Sequence, residues 1–298
     1  MPSIQTLFAN FGRGLLMGSA DVIPGVSGGT VALIVGIFER FVASVGAGAS
    51  AIFRLARLDL PGARRRFGEV EWTLVVPLGI GIVTALGIGS RVIPVLLDEY
   101  PQQVRALFFG LIVGSLAIPF RRIAVVGRVE WFLIAVCAVL AFVLVGLPPR
   151  EISDPPLYLV FGLAAIAICA MILPGVSGAF MLLAFGIYEV TLEAVAHLDL
   201  PYIITFVAGA GVGLGVFSQV LRYLLDHRHD VTMAALVGLM AGSLRALWPW
   251  LDDDRNLLAP PDAATFIAMA ALALAGVILV TLIAWLARPR IRTEALPE

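Results

Sequence analysis

A short break in an apolar stretch occurs twice in this chain, and it limits the possible folds more than any other feature. The string PGVSGG at residues 24–29 returns as PGVSGA at residues 174–179. Proline removes a backbone donor and clashes with the preceding helical turn, and glycine favours non-helical dihedral angles. Neither copy is therefore an ordinary helix interior. In hydrocarbon, such a break is tolerated only where it is buried in protein or lines a wet cavity.

The composition places both breaks in a membrane. Of the 298 residues, 60% are apolar and 14% are charged, whereas a soluble domain carries roughly 25% charged residues. The mean hydropathy is +0.99. Apolar runs of about twenty residues recur, which is the length needed to cross a hydrocarbon core of about 30 Å. We predict an all-α polytopic membrane protein that has membrane lipids, and no nucleic acid, as partners.

The break is part of a longer internal repeat. Three further matches follow it: residues 36–39 with 186–189, 96–98 with 224–226, and 110–116 with 238–244. The first match has an offset of 150 positions and the later two an offset of 128. The first half therefore holds 22 additional residues (150 − 128), which we assign to a polar, arginine-rich loop at 46–72.

The repeat predicts an inverted-topology fold with about six transmembrane helices and two re-entrant helical hairpins. Residues 1–150 form the first half and residues 151–298 the second, within one integrated membrane domain. The predicted hairpins are 14–44 and 158–188. The predicted spans are 73–97, 104–120 and 130–147 in the first half, and 203–225, 231–249 and 264–287 in the second.

The distribution of arginine sets the predicted orientation. All twenty basic residues are arginines. If both hairpins are re-entrant and the N-terminus is cytoplasmic, the arginine-rich connections lie inside, and the outside connections hold only Arg150 and Arg255. This arrangement obeys the positive-inside rule, whereas a first segment that crossed fully would put five arginines outside. Three crossings per half invert the second half, and both termini are then cytoplasmic.

Each hairpin tip would present free backbone N–H groups, a serine hydroxyl and a helix start, which together suit phosphate or carboxylate. Two inverted tips near the midplane predict an anion site of the kind that transporters use. The alternative is that these small residues serve only close helix packing. The predicted substrate-binding residues are Asp21, Pro24, Gly25, Ser27, Gly28, Gly29, Thr30, Pro174, Gly175, Ser177, Gly178, Arg91 and Arg245.

Charged residues within apolar segments are functional candidates. Asp21 lies three residues before Pro24, and the second half has Met171 in its place. Asp21, Glu39 and Glu189 are candidates for coupling transport to protons or another cation, although the two glutamates equally suit the membrane interface. Arg91 and Arg245 offer bidentate donors to phosphate, or else snorkel or pair with an acid. We find no catalytic pair, metal-ligand spacing or nucleotide loop, so we expect no catalytic residue, metal or cofactor.

The strings MGSADVIPGVSGGT at residues 17–30 and CAMILPGVSG at residues 169–178 resemble the bacterial PopT-type polyprenyl-phosphate transporter family. The resemblance covers essentially the whole chain. It implies translocation of undecaprenyl phosphate, the lipid carrier of cell-wall synthesis, from the outer to the cytoplasmic leaflet of the bacterial cytoplasmic membrane. The two serines, the glycine backbone and the arginines would then hold the phosphate.

Two other functions are compatible with the pattern. Undecaprenyl-pyrophosphate phosphatases also resemble inverted repeats with a Pro-Gly-x-Ser motif. They place arginine directly after that serine and carry paired glutamates on the other hairpin, whereas this chain has Gly28 and Gly178 and lacks the pair. An ion-coupled carrier for a small soluble anion would use the same site chemistry. A lateral opening toward lipid favours the lipid substrate. The coupling ion and oligomeric state are left open.

Overall fold

The computed structural model describes residues 4–21, 27–148, 152–252 and 254–286. Within them the fold is helical, with a single isolated bridge between Leu251 and Leu257. The first half contains α1 (Ile4–Asp21), α2 (Gly28–Ile34), α3 (Phe38–Ala56), α4 (Leu60–Gly68), α5 (Trp72–Glu99), α6 (Pro101–Phe120) and α7 (Arg128–Val145). The second half contains α8 (Leu157–Ile172), α9 (Gly178–Phe185), α10 (Tyr188–Ala196), α11 (Leu200–His227), α12 (His229–Ser243), a 3-10 turn (Leu244–Leu247) and α13 (Ala263–Leu286).

Six helices of the described chain are long and apolar enough to cross a membrane: α5, α6, α7, α11, α12 with its 3-10 turn, and α13. Large apolar side chains such as Phe132, Val207 and Ile267 are more than half exposed on the outside of the bundle, as expected of a lipid-facing surface. The span formed by α12 and its turn is the most enclosed, because over half of it is buried inside the protein. The predicted all-α polytopic membrane fold with six spanning helices is confirmed.

The prediction of a polar loop over residues 46–72 is wrong. α3 continues through Ala56, and α4 begins after Asp59, whose Oδ1 accepts the Gly62 N–H at 2.9 Å as a helix N-cap. Arginine is a good helix former, so a cluster of arginines does not by itself predict a loop. α3 has 19 residues against 9 in its counterpart α10, and α4 has no counterpart between α10 and α11. The additional residues are thus divided between a longer α3 and α4.

The two halves share the same order of elements and several local details. α5 and α11 both have 28 residues, and their first and last residues keep the offset of 128. Both short helices after the breaks, α2 and α9, end at a glycine with positive φ: Gly36 at +72° and Gly186 at +81°. Each end has the same pair of backbone bonds, Gly36 N to Leu33 O with Ile37 N to Ala32 O, and Gly186 N to Leu183 O with Ile187 N to Leu182 O. This Schellman-type end needs a left-handed residue, which glycine supplies without strain.

The first broken segment begins ten residues before its predicted bounds of 14–44, whereas the second begins within one residue of the predicted 158–188. The first begins at Ile4 with α1, and α1 packs in parallel along α5 because Gly14 contacts the backbone of Leu78 and Gly18 that of Ile82. α8 packs in the same way along α11, where Gly209 contacts Phe161 and Gly213 contacts Ala165. Two parallel neighbours require that the chain between them return to the end from which it started.

The halves interlock through their last two helices. α6 packs against α13 and α7 against α12, so each pair takes one helix from each half. Small residues make these contacts close, with Gly110 against the backbone of Ala273 and Gly242 against that of Ala138. Close backbone approach through glycine is typical of helix packing in membranes. The two halves therefore form one packed unit.

The contact between α1 and α5 can be tested by adding a single methyl group. Gly14→Ala places a Cβ against the Leu78 backbone, and we expect it to lower the free energy of unfolding by about 1–3 kcal/mol. Gly12→Ala is the matched control, because nothing lies within 4 Å of a Cβ at Gly12 and alanine is the better helix former. Thermal unfolding in detergent measures both, and equal midpoints would contradict the close packing.

Candidate functional site

The start of α2 is capped entirely by this chain's own oxygen atoms. Ser27 is the N-cap residue, and its Oγ accepts the Gly29 N–H at 3.1 Å. Asp21 Oδ1 accepts the Gly28 N–H at 2.6 Å. A carboxylate is favoured at a helix start, where the backbone carries partial positive charge. In this conformation, Asp21 thus occupies the position that the sequence assigned to a phosphate.

The two breaks bond directly to each other. Besides capping α2, Ser27 Oγ lies 3.1 Å from the Met171 carbonyl oxygen and 3.2 Å from that of Leu173, to which its hydroxyl donates. Thr30 Oγ1 accepts the Gly175 N–H at 2.9 Å. Ser27 and Thr30 are buried, and a buried backbone group without a partner is costly. Side chains of the first half therefore satisfy backbone groups that the break in the second half exposes.

The second break has the same cap but not the same charge. Ser177 is the N-cap of α9, and its Oγ accepts the Phe180 N–H at 3.4 Å, a longer bond than at Ser27. Met171 takes the place of Asp21 in the repeat. Asp21 itself lines a cavity of about 200 Å³ together with Ser177 and Gly178. One carboxylate therefore caps the first short helix and lies in the cavity next to the start of the second.

An apolar cavity adjoins the first break on its other side. It has a volume of about 190 Å³, lies between α1, α2, α6 and α13, and includes Thr30 in its lining. A second cavity of about 370 Å³ shares Ile34, Val35 and Val280 with it and extends to Arg121 and Arg122. Three lining residues, Leu16, Leu279 and Trp285, are exposed on the bundle surface. The cavities thus open laterally, between helices that face the membrane.

Several predicted site residues lie away from the breaks. Glu39 is exposed in the first turn of α3 and pairs with Arg122, Nη1 to Oε1 at 2.9 Å. Glu189 is exposed in the first turn of α10 and forms no ion pair in the described part of the chain. Arg245 lies in the 3-10 turn after α12. The residues that the structure brings together are Asp21, Ser27, Gly28, Gly29, Thr30, Pro174, Gly175, Ser177 and Gly178.

Some predicted residues are outside the described residues, and others of interest were not predicted. Pro24 and Gly25 lie outside the described residues, and Arg91 lies in α5 without a described side chain. The Met171 and Leu173 carbonyls were missed because backbone partners leave no mark in a sequence. Arg105 and Arg255 were not among the predicted site residues either. Their signal is position, because both stand at the end of the bundle where the positive-inside rule predicts few arginines.

Comparison with known proteins agrees with the motif. Residues 17–260 match the model of the family described as VCA0040-like, undecaprenyl phosphate translocase-like. The chain belongs to this family. Its relatives include a protein named polyprenyl-phosphate transporter from Vibrio cholerae serotype O1, 37% identical over 240 residues, or 80% of this chain and 76% of the relative. A second, with the same name, is from Staphylococcus aureus, 31% identical over 266 residues, or 83% of this chain and 88% of the relative. No solved structure matches the chain.

The bond between the two halves at Thr30 can be tested by removing its oxygen. Thr30→Val keeps the shape of the side chain but leaves the buried Gly175 N–H without its acceptor. We expect a loss of about 1–3 kcal/mol in the free energy of unfolding. Thr30→Ser retains the oxygen and should lose less. Chemical unfolding in detergent compares the two variants, and a valine variant as stable as the serine variant would refute the importance of this bond.

Proposed function

We propose that this protein moves polyprenyl phosphate, with undecaprenyl phosphate as the substrate, across the bacterial cytoplasmic membrane for reuse of the lipid carrier. The family and the names of the relatives support this function. The structural observation that carries it is the meeting of two helix starts inside a membrane-spanning bundle, beside cavities that open laterally. A prenyl chain is stable in lipid, whereas an unpaired phosphate costs tens of kcal/mol to bury in the Born limit. The protein has to shelter only the headgroup.

In the proposed mechanism the phosphate headgroup takes the place of the Asp21 carboxylate at the start of α2. Both are anions, and both accept hydrogen bonds from the same backbone N–H groups. Ser177 and Gly178 lie across the cavity from Asp21, so a headgroup there meets both helix starts. The prenyl chain lies in the lateral cavity beside Thr30 and extends into the bilayer. Rocking of the two halves then exposes the headgroup to one side or the other.

We further propose that both broken segments are re-entrant, that the halves are inverted, and that both termini are cytoplasmic. The parallel packing of α1 on α5 and of α8 on α11 supports the re-entrant arrangement. The distribution of arginine supports the orientation. In this arrangement the two helix starts lie near the middle of the membrane, within reach of both sides.

Asp21 is the best placed of the three predicted coupling residues. Glu39 and Glu189 are exposed at the ends of their helices, whereas Asp21 bonds to the start of α2 beside the cavity. Protonation of Asp21 removes the negative charge that repels phosphate. It also weakens the hydrogen bond that the Asp21 carboxylate accepts from the Gly28 N–H. We therefore propose that Asp21 links headgroup binding to a proton. No other cofactor enters the mechanism.

The two alternatives account for fewer of these observations. A phosphatase of the related kind would have arginine directly after the serine of its Pro-Gly-x-Ser motif and paired glutamates on the other hairpin, whereas this chain has Gly28 and Gly178 after its two serines and lacks the pair. A carrier for a soluble anion has no use for apolar cavities that open on the lipid-facing surface. We therefore propose a transporter that performs no covalent chemistry on its substrate.

Leaflet exchange in liposomes tests the function directly. The purified protein is reconstituted with a fluorescent short-chain polyprenyl phosphate, and exchange and free phosphate are followed in the same sample. We expect exchange without phosphate release, and about tenfold slower exchange in Ser27→Ala and in Ser177→Ala, because each loses a hydrogen bond worth about 1 kcal/mol or more. Phosphate release from the pyrophosphate form would indicate the enzyme instead, and absence of exchange would favour the soluble-anion carrier.

The role of Asp21 predicts a change in pH dependence. Asp21→Asn keeps an oxygen that can accept the Gly28 N–H but cannot gain or lose a proton in the working pH range. We expect the variant to lose the part of the pH response that differs from the phosphate's own second ionisation, which has a pKa of about 6. Glu39→Gln and Glu189→Gln are the matched controls and should keep that response. An asparagine variant that responds to pH as the wild type does would move the proton-linked step away from Asp21.

A further inference from the structure

The arginine side chains have different partners at the two ends of the bundle. Five ion pairs join arginine to a carboxylate in the described residues: Arg40–Glu71, Arg54–Asp59, Arg66–Glu69, Arg122–Glu39 and Arg222–Asp226. Three of them, Arg40–Glu71, Arg122–Glu39 and Arg222–Asp226, lie at the end where α5 begins and α11 ends. At the opposite end lie Arg105 on α6, Arg245 in the 3-10 turn, and Arg255 in the segment before α13. None of these three forms an ion pair within the described chain. We call them the three-arginine cluster.

Arg245 and Arg255 are in direct contact. Arg245 Nη2 donates to the Arg255 carbonyl oxygen at 3.3 Å, and Nη1 donates to the Phe142 carbonyl oxygen at 3.2 Å. The Arg245 guanidinium also lies 4.7 Å above the Phe142 ring and packs on Gly146, where a side chain would collide with it. These contacts use part of the donor capacity of Arg245 and fix its orientation.

Arg255 connects this end of the bundle to the second break. Its guanidinium lies 4.3 Å from the centre of the Phe180 ring, and Phe180 is in the first turn of α9. Burial lowers the pKa of the Arg255 guanidinium, and the positive charge of Arg105 lowers it further. The geometry places Arg105 at this end as well, because α6 packs against the 3-10 turn that holds Arg245. Ala106, its neighbour on α6, packs against Trp250.

Two nearby carboxylates, Asp252 and Asp262, are engaged elsewhere, and neither Glu99 nor Asp254 forms an ion pair in the described part of the chain. Asp252 accepts bonds from the backbone and side chain of Asn256, and Asp262 accepts the backbone and hydroxyl of Thr265 at the start of α13. Four side-chain N–H groups are buried without a partner in the described chain. Arg66 Nε belongs to α4, and the other three lie here: Arg245 Nε, Arg255 Nη1 and Trp250 Nε1. Trp250 is only 6% exposed, and buried donors without partners are rare in folded proteins.

We propose that the three-arginine cluster and Trp250 form a second anion site, which takes a phosphate monoester before it reaches the breaks. Guanidinium groups suit this ligand because their planar N–H pairs match phosphate oxygens. The proposal rests on the proposed function in naming the lipid phosphate as the ligand. Inorganic phosphate has the same headgroup chemistry.

The position of the cluster fits a route to the breaks. Met240 on α12 contacts Gly175, and Arg245 follows five residues later, which is about 8 Å along a helix. Phe180 links Arg255 to the turn that Ser177 caps. A headgroup that leaves the cluster therefore has a short path to the start of α9.

Equilibrium binding to protein in nanodiscs tests this site. The probe is a fluorescent short-chain prenyl phosphate, with unlabelled inorganic phosphate as competitor. Arg105→Gln is the first variant, because Arg105 forms no hydrogen bond or ion pair in the described part of the chain. We expect about tenfold weaker binding, as for the loss of one charged hydrogen bond, and partial recovery in Arg105→Lys. Arg255→Gln should weaken binding similarly, and Arg64→Gln, an exposed arginine at the other end, should have no effect.

The outcomes separate this site from the proposed function. Unchanged binding in both Arg105→Gln and Arg255→Gln overturns the second site, even if Ser177→Ala still slows leaflet exchange. Weakened binding in both, at an unchanged thermal midpoint, supports the site. A wild type that binds inorganic phosphate through these arginines but neither binds nor exchanges the prenyl phosphate supports the site and refutes the lipid substrate. If Arg105→Gln unfolds the protein, Arg105→Lys replaces it as the test. Binding by a folded lysine variant supports the second anion site, and loss of binding in that variant refutes it.

Discussion

The structure depends on one requirement, which is that the backbone groups exposed by two broken helices find partners inside an apolar bundle. In hydrocarbon an unpaired N–H or C=O costs several kcal/mol. Ser27 supplies an acceptor for Gly29 and a donor for the carbonyls of the other half, and Thr30 accepts Gly175. Because side chains of the first half complete the break of the second, the halves must meet at the breaks. The packing of α6 against α13 and of α7 against α12 keeps the two breaks in contact.

The halves share a backbone plan but not a charge distribution. Asp21 has Met171 as its counterpart, and Thr30 has Phe180. The first half therefore places a carboxylate at its helix start, whereas the second places an aromatic ring that supports Arg255. For the proposed transport, this asymmetry has a physical use. A cationic site near one end and an anionic group at the centre offer the headgroup successive partners, and neither has to bind it tightly.

The sequence predicted most of the fold because membrane thickness sets the length of an apolar helix. The six spans lie within a few residues of their predicted bounds; α12 ends before its predicted limit and passes into a 3-10 turn. The prediction of a loop over 46–72 is wrong, because α3 and α4 fill most of this segment. Arginine indicates a segment outside the hydrocarbon, but it is also a good helix former. Composition therefore predicts which segments lie outside the membrane better than it predicts whether they are helix or loop.

The sequence by itself determined that two helices break, which residues lie at each break, and which family the chain resembles. Those properties are local, since proline and glycine limit the backbone wherever they stand. Only the tertiary structure decided what the freed groups bind: Gly28 N–H binds Asp21, and the Ser27 hydroxyl binds the carbonyls of Met171 and Leu173. It likewise decided that Arg245 and Arg255 keep buried N–H groups without a partner in the described chain. A hydrogen bond between residues about 145 positions apart depends on how two halves pack. The backbone groups in these bonds are the same in every residue type, so no residue pattern predicts them.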